Sequence, residues 1–132
     1  MMWKVVAAIL NHQLTASITF HDFLYGFRVD CGTGTAKLLQ YLAALREEVL
    51  CIIFLELHKV YDALDRSRCL EILKGYGVGP RACRILRTYW IRLRMVAKAG
   101  GYYGAAFTGD RGVMQRDPLP PTIFNVVVDA LV

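Results

Sequence analysis

The chain has 132 residues, 55% of them hydrophobic, with a mean hydropathy of +0.35, which excludes a disordered polymer and suffices for one buried core. No apolar run approaches the roughly 18–20 residues of a membrane span, so none is expected. The net charge is +5 and very uneven: residues 66–98 hold nine Lys or Arg against the single acid Glu71, a local +8 that leaves −3 for the remainder.

In chain order, MMWKVVAAIL offers one Lys and a short apolar stretch with no clean small-residue cleavage site, so a signal peptide is not expected. Val5, Val6, Ile9, Leu10 and Leu14 recur at helical spacing and predict a helix over 3–14. Residues 20–34, FHDFLYGFRVDCGTG, read as a loop. Thr33 or Thr35 is then a candidate cap for a helix over 35–49, with Leu38, Leu42, Leu45 and Val49 on one face.

The stretch 51–66, CIIFLELHKVYDALDR, opens with five apolar residues, the pattern of a buried strand, here over 50–57. Glu56 stands at its exit. A carboxylate there is costly unless paired. It either reaches solvent or a nearby Arg, or it is a metal-binding carboxylate on a palm-like sheet with Tyr61 packed beside the ligand. Asp65 is a plausible N-cap for a helix over 66–74, stopped by Gly75 and Gly77.

Gly79-Pro80 starts a further helix. Ala82, Ile85, Leu86, Tyr89 and Leu93 share one side of it, and Arg81, Arg84, Arg87 and Arg92 lie opposite. The arginine face reads as a polyanion contact or as an ordinary solvated face. Residues 94–99 and 102–108 flank Gly100-Gly101 as a hairpin. VMQRDPLPP is a loop, and a helix over 121–131 follows through Ile123, Phe124, Val127 and Leu131, expected to be cut by the end of the chain. No repeat or linker indicates a second domain. Cys31, Cys51, Cys69 and Cys83 show no zinc-like spacing, so reduced, buried thiols in an intracellular protein, of cytoplasm or nucleus, are expected.

Three segments, YGFRVDCGTGTA (25–36), IFLELHKVYDALDR (53–66) and RGVMQRDPLPPTIFN (111–125), together resemble reverse transcriptases of the group II intron and non-LTR retroelement type. The basic block with GYGVGPR also resembles them, and the likeness covers nearly the whole chain. It implies an α+β fold: the partial fingers (about 1–50) and palm (about 51–132) of a right-hand polymerase, with helices on a small, mostly antiparallel sheet. It implies RNA-templated DNA synthesis with an RNA template, a DNA primer, a deoxynucleoside triphosphate and two Mg²⁺ ions. Those ions activate the primer hydroxyl and stabilise the leaving pyrophosphate. Glu56 stands where the family has its metal-binding acid, and the carbonyl of Leu57 would be the adjacent ligand. The amides near Lys59 and Val60 would face the triphosphate. Tyr61 matches the aromatic that disfavours a 2′-hydroxyl, Gln115 the glutamine near the incoming nucleotide, and Arg28 the finger arginine.

The chain departs from that pattern. The family has aspartate at 56, a smaller residue at 60 and glycine at 116, where this sequence has Glu56, Val60 and Arg116. No Y-x-D-D motif occurs before Val132. Asp62, Asp65 and Asp129 do not match the positions of its carboxylates, and the basic stretch usual before the GFR motif is missing. The expectation is a partial domain, truncated before Y-x-D-D and inactive as it stands. The alternatives are a non-catalytic nucleic-acid-binding module and a pseudogene product.

Overall fold

The structure, a computed structural model, describes residues 2–28, 30–46, 51, 53 and 55–131. Helices α1 (Met2–Ser17) and α2 (Thr33–Leu45) are followed by a single turn, α3 (Val60–Ala63). Then come α4 (Arg66–Gly75), α5 (Pro80–Arg92), strands β1 (Met95–Ala99) and β2 (Tyr102–Phe107), and α6 (Leu119–Asp129). The fold class is α+β, with one two-stranded antiparallel sheet among the described residues. Among the described residues, no helix is long and apolar enough to cross a membrane.

Four helices make the core. Ala7, Leu10 and Leu14 of α1 meet Cys69 and Leu73 of α4, Leu86 and Trp90 of α5, and Ile123 and Val126 of α6 in one buried cluster. The helices pack on one another rather than on the sheet. Strands of five and six residues whose side chains are almost all exposed supply no face for them to cover. In α5 the buried side includes Cys83 and Trp90 as well as Leu86 and Tyr89, while Ala82 and Ile85 are only half-buried. The core thus takes a strip rotated from the most hydrophobic one, because two large rings fill the space between helices.

Local punctuation explains several boundaries. The Asp65 carboxylate accepts from the N–H groups of Ser67 and Arg68 at 2.8 and 3.1 Å, satisfying the first turn of α4. Those bonds hold its pKa below the usual carboxylate value. Pro80 sits at the first position of α5, where no intrahelical N–H is needed. Helix α2 starts after Gly32 with no side-chain cap, so neither Thr33 nor Thr35 takes that role. The expected continuation of α2 to 49 lies outside the described residues from 47 onward.

The strand expected over 50–57 is absent among its described residues. Residues 51, 53 and 55–57 join no ladder and are exposed, Ile53 at 80% and Leu55 at 83%. Residues 50, 52 and 54 of that expectation lie outside the described set. A strand requires a neighbour for its N–H and C=O groups and a surface to cover. Here β1 and β2 pair with each other, through Met95 with Phe107 and Ala99 with Tyr102.

Helix α6 is the hub. It buries three polar side chains, Thr122, Asn125 and Asp129, and each is satisfied. Thr122 Oγ1 donates to Asn11 Oδ1 of α1 at 2.6 Å, and Asn125 Nδ2 donates to the Gly26 carbonyl at 2.6 Å. Asp129 accepts from the His21 N–H at 2.9 Å and from the Tyr76 hydroxyl at 2.5 Å. The loop 18–28 is thereby fastened to the end of the helical core.

Candidate nucleotide site and basic surface

The segment 59–64 is short and pinned at both ends. Lys59 has a φ of +46° and starts the turn α3, with its carbonyl accepting from the N–H groups of Asp62 and Ala63 at 2.9 Å. The amides of Lys59 and Val60 therefore stand at the head of a helical turn. The half-buried Tyr61 ring tilts against Phe124 of α6 at a centroid distance of 5.6 Å.

Residues 112–113 run directly against this segment. The N–H of Gly112 donates to the Leu64 carbonyl and that of Val113 to the Tyr61 carbonyl, both at 2.8 Å. The approach depends on glycine: a β-carbon on Gly112, at a φ of +77°, would lie 2.8 Å from the Asp62 carbonyl oxygen. Arg66 fastens the far side. Its Nε donates to the Gly112 carbonyl at 2.8 Å and its Nη1 to the Gly109 carbonyl at 2.5 Å. Burial lowers the pKa of this guanidinium from its ordinary value.

Gln115 follows two residues after Val113 and is exposed. Arg116, next to it, has a φ of +66°. That is left-handed backbone, in which glycine is comfortable and a residue with a β-carbon is strained. The loop is anchored by Asp117, whose carboxylate accepts from the Tyr89 hydroxyl of α5. Burial and that bond push the Tyr89 pKa up.

The candidate residues thus divide. Tyr61 and the loop bearing Gln115 are spliced together through backbone hydrogen bonds. Glu56 and Leu57 are exposed and irregular, and among the described residues no ion pair engages Glu56. Arg28 is occupied in its own loop, with Nη1 donating to the carbonyls of His21 and Leu24 at 2.8 and 3.0 Å. It braces the turn that α6 holds. Magnesium takes oxygen ligands in a near-octahedral array. Among the described residues no three His, Cys, Asp or Glu side chains gather to hold a cation. Those residues do not fit a magnesium cage, and Glu56 alone would supply one carboxylate.

Arg81, Arg84, Arg87 and Arg92 are all exposed on α5, and among the described residues none pairs with a carboxylate. Arg87 also lines a cleft of about 370 Å³ with Arg66, Trp90, Thr108 and Asp110. Residues that sequence reasoning passed over prove structural: Arg66, Gly112 and Asp117 hold the loops in place. The glycine in RGV and the acid in RDP are the local signals for two of them.

No family model matches the chain. It is similar to the retrovirus-related Pol polyprotein from the type-1 retrotransposable element R2 of Popillia japonica, 27% identical over 134 residues. It is also similar to that from the type-2 retrotransposable element R2DM of Drosophila melanogaster, 29% identical over 77 residues. This supports a retroelement reverse-transcriptase relationship. The matches cover 97% and 58% of this chain but only 19% and 7% of those proteins. The chain therefore spans a small part of the length of the relatives it matches.

Proposed function

We propose that this chain is the partial fingers and palm of a retrotransposon reverse transcriptase, contributing nucleotide- and template-facing surface to RNA-templated DNA synthesis. The observation that carries the reading is the splice of Tyr61–Leu64 against Gly112–Val113, which joins the two motifs that the resemblance assigns to one nucleotide. In this reading Tyr61 meets the sugar, Gln115 lies beside the incoming nucleotide, and Lys59 and Val60 present amides to its phosphates. Arg28 braces the neighbouring loop. Glu56 and the Leu57 carbonyl by themselves do not make a magnesium site; they would contribute two oxygens to one only together with the carboxylates of a Y-x-D-D segment. The relatives are retrotransposon proteins, which favours that type over a group II intron enzyme.

Arg81, Arg84, Arg87 and Arg92 hold the phosphate backbone of RNA template and DNA primer without reading bases. The chain by itself extends no primer. The test is extension of a DNA primer on an RNA template with Mg²⁺ or Mn²⁺. The 132-residue chain gives no product, whereas a version carrying a downstream Y-x-D-D segment and thumb does. On that version Glu56→Asp raises the rate by about 10²-fold, because a carboxylate misplaced by about 1 Å costs that much. Extension by the chain alone, or equal activity of the longer version with Ala at position 56, would overturn the reading. The second reading, a non-catalytic nucleic-acid-binding module, is favoured by the exposed arginine face and predicts salt-dependent binding without extension in either version.

A further inference from the structure

We infer that the β1–β2 hairpin is a stacking platform for unpaired bases of a single-stranded nucleic acid, beside the arginine face of α5. The inference rests on the nucleic-acid reading of that face and adds a second chemistry to it. Every residue of β2 is exposed, including three large aromatics: Tyr102 at 84%, Tyr103 at 71% and Phe107 at 52%. Rings left in water on a regular element are a surface prepared for a ligand rather than a core.

The register sorts these rings. A bulge opposite Val96–Lys98 puts one extra β2 residue between Tyr103 and Phe107, so these two rings lie on opposite faces of the hairpin. Their cross-strand partners are Lys98 and Met95, and the Lys98 ammonium lies 5.2 Å from the Tyr103 ring centroid. One face of the hairpin thus presents the Tyr103 ring with a cation over it, and the other presents the rings of Tyr102 and Phe107.

Charge names the occupant. From residue 72 to residue 109 the chain has no acid and seven Lys or Arg, among them Arg92 and Arg94 leading into β1 and Lys98 on it. A cationic ligand has nothing to pair with there. A purely apolar partner would leave Lys98 desolvated without a counter-charge. A single strand offers both a phosphate backbone for the cations and base faces for the rings, the combination that binds single strands without sequence preference. A duplex keeps its bases stacked and offers only phosphates.

The experiment uses the 132-residue chain and three labelled probes of equal length: a single-stranded RNA, its abasic counterpart and a duplex, each titrated at two salt concentrations. Native protein binds the base-bearing strand about 5-fold or more tighter than the abasic one, as stacking of one or more bases provides. Replacing both tyrosines, Tyr102→Leu and Tyr103→Leu, removes that difference and leaves abasic affinity and salt slope unchanged. Replacing the four α5 arginines by Gln weakens all three probes and flattens the salt dependence. A strand carrying 5-bromouracil cross-links to the peptide containing residues 102–107 on irradiation, a readout that does not depend on the variants folding. Equal affinity of native protein for base-bearing and abasic strands, or cross-linking elsewhere only, overturns the platform while leaving the arginine reading standing. Loss in the tyrosine variant without loss in the arginine variant does the reverse. Binding of none of the probes overturns both.

Discussion

Replacing Gly112 by alanine tests the contact on which the candidate site rests. The added β-carbon would lie 2.8 Å from the Asp62 carbonyl oxygen, 2.9 Å from that of Tyr61 and 3.0 Å from the Asp62 α-carbon. These are backbone atoms, so no rotamer change relieves the overlap. The φ of +77° adds about 1–2 kcal/mol for any residue with a β-carbon. Parting the two segments weakens the Gly112 and Val113 N–H bonds and the one that Arg66 donates to Gly112, all at 2.8 Å. Each contributes about 0.5–1.5 kcal/mol, more for the charged donor. The expected loss is about 3–5 kcal/mol, a large share of the roughly 5–15 kcal/mol typical of a domain. Gly77→Ala is the control: its φ is +80°, yet a β-carbon there meets nothing within 4 Å, so it should lose only about 1–2 kcal/mol. Urea unfolding followed by circular dichroism measures both. Equal losses in the two variants would refute the close approach of 112–113 to 61–64.

Arg116→Gly should stabilise the chain by about 0.5–1 kcal/mol, since relief of left-handed strain exceeds the entropy that glycine returns to the unfolded state; a destabilised variant in the same urea assay contradicts the strained loop. Against the expectation of buried thiols, Cys51 is exposed and Cys31 half-buried, whereas Cys69 is buried and its pKa is pushed up to about 11 by burial and then by Asp65. A disulfide reagent at pH 8 should therefore label Cys51 in native buffer and reach Cys69 and Cys83 only in denaturant; fast reaction of all four thiols contradicts the helical core. Burial alone would raise the Asp129 pKa, but hydrogen bonds from Tyr76 and His21 outweigh it and hold the carboxyl below its ordinary 3.8. Its contribution to stability is then full above that ordinary value and lost as pH falls through the folded one. Asp129→Asn should flatten the acid limb of the stability curve below about pH 4, and an unchanged limb contradicts the clamp.

The helices were legible because their signals are local. Asp65 two and three residues before free N–H groups, Pro80 at a first turn and glycines at 100 and 101 act within a few residues of themselves. What covers an apolar face is not local. The stripe of Leu38, Leu42 and Leu45 was readable as one side of a helix, yet α2 buries no residue among those described. The same gap explains why the described residues of 51–57 join no ladder. Five apolar residues from Cys51 carry strand propensity, but a ladder depends on a neighbour contributed from elsewhere in sequence, and β1 and β2 satisfy each other. In α6 the apolar residues foretold a helix and missed its function as a hub. Its polar Thr122, Asn125 and Asp129 are buried because α1, α4 and the loop 18–28 offer them partners. The resemblance singled out Tyr61 and Gln115 as candidates from motif order. It could not indicate that Gly112 and Arg66 are what bring their segments together.

The three substituted positions, 56, 60 and 116, are borne differently by the fold, and that separates folding from chemistry. Glu56 is exposed, so its extra methylene meets no packed neighbour and costs the fold nothing. Under the proposed function its effect would fall on where a carboxylate places an ion, a matter of about 1 Å that bears on rate rather than stability. Val60 is half-buried at the head of α3. Arg116 is the reverse case: its side chain is exposed and unopposed, but its backbone keeps the left-handed φ that a glycine would accept freely. The loop has thus retained a glycine-like path under a residue that strains it. Asp117, held by Tyr89 immediately after, is the contact that keeps the path. Removing that anchor by Tyr89→Phe should therefore let residue 116 relax out of the left-handed region. The effect on the loop should be larger in the Arg116 protein than in an Arg116→Gly background, a coupling that a double-mutant cycle in urea unfolding reads directly. Additive losses would mean that the strain at 116 and the anchor at 117 are independent.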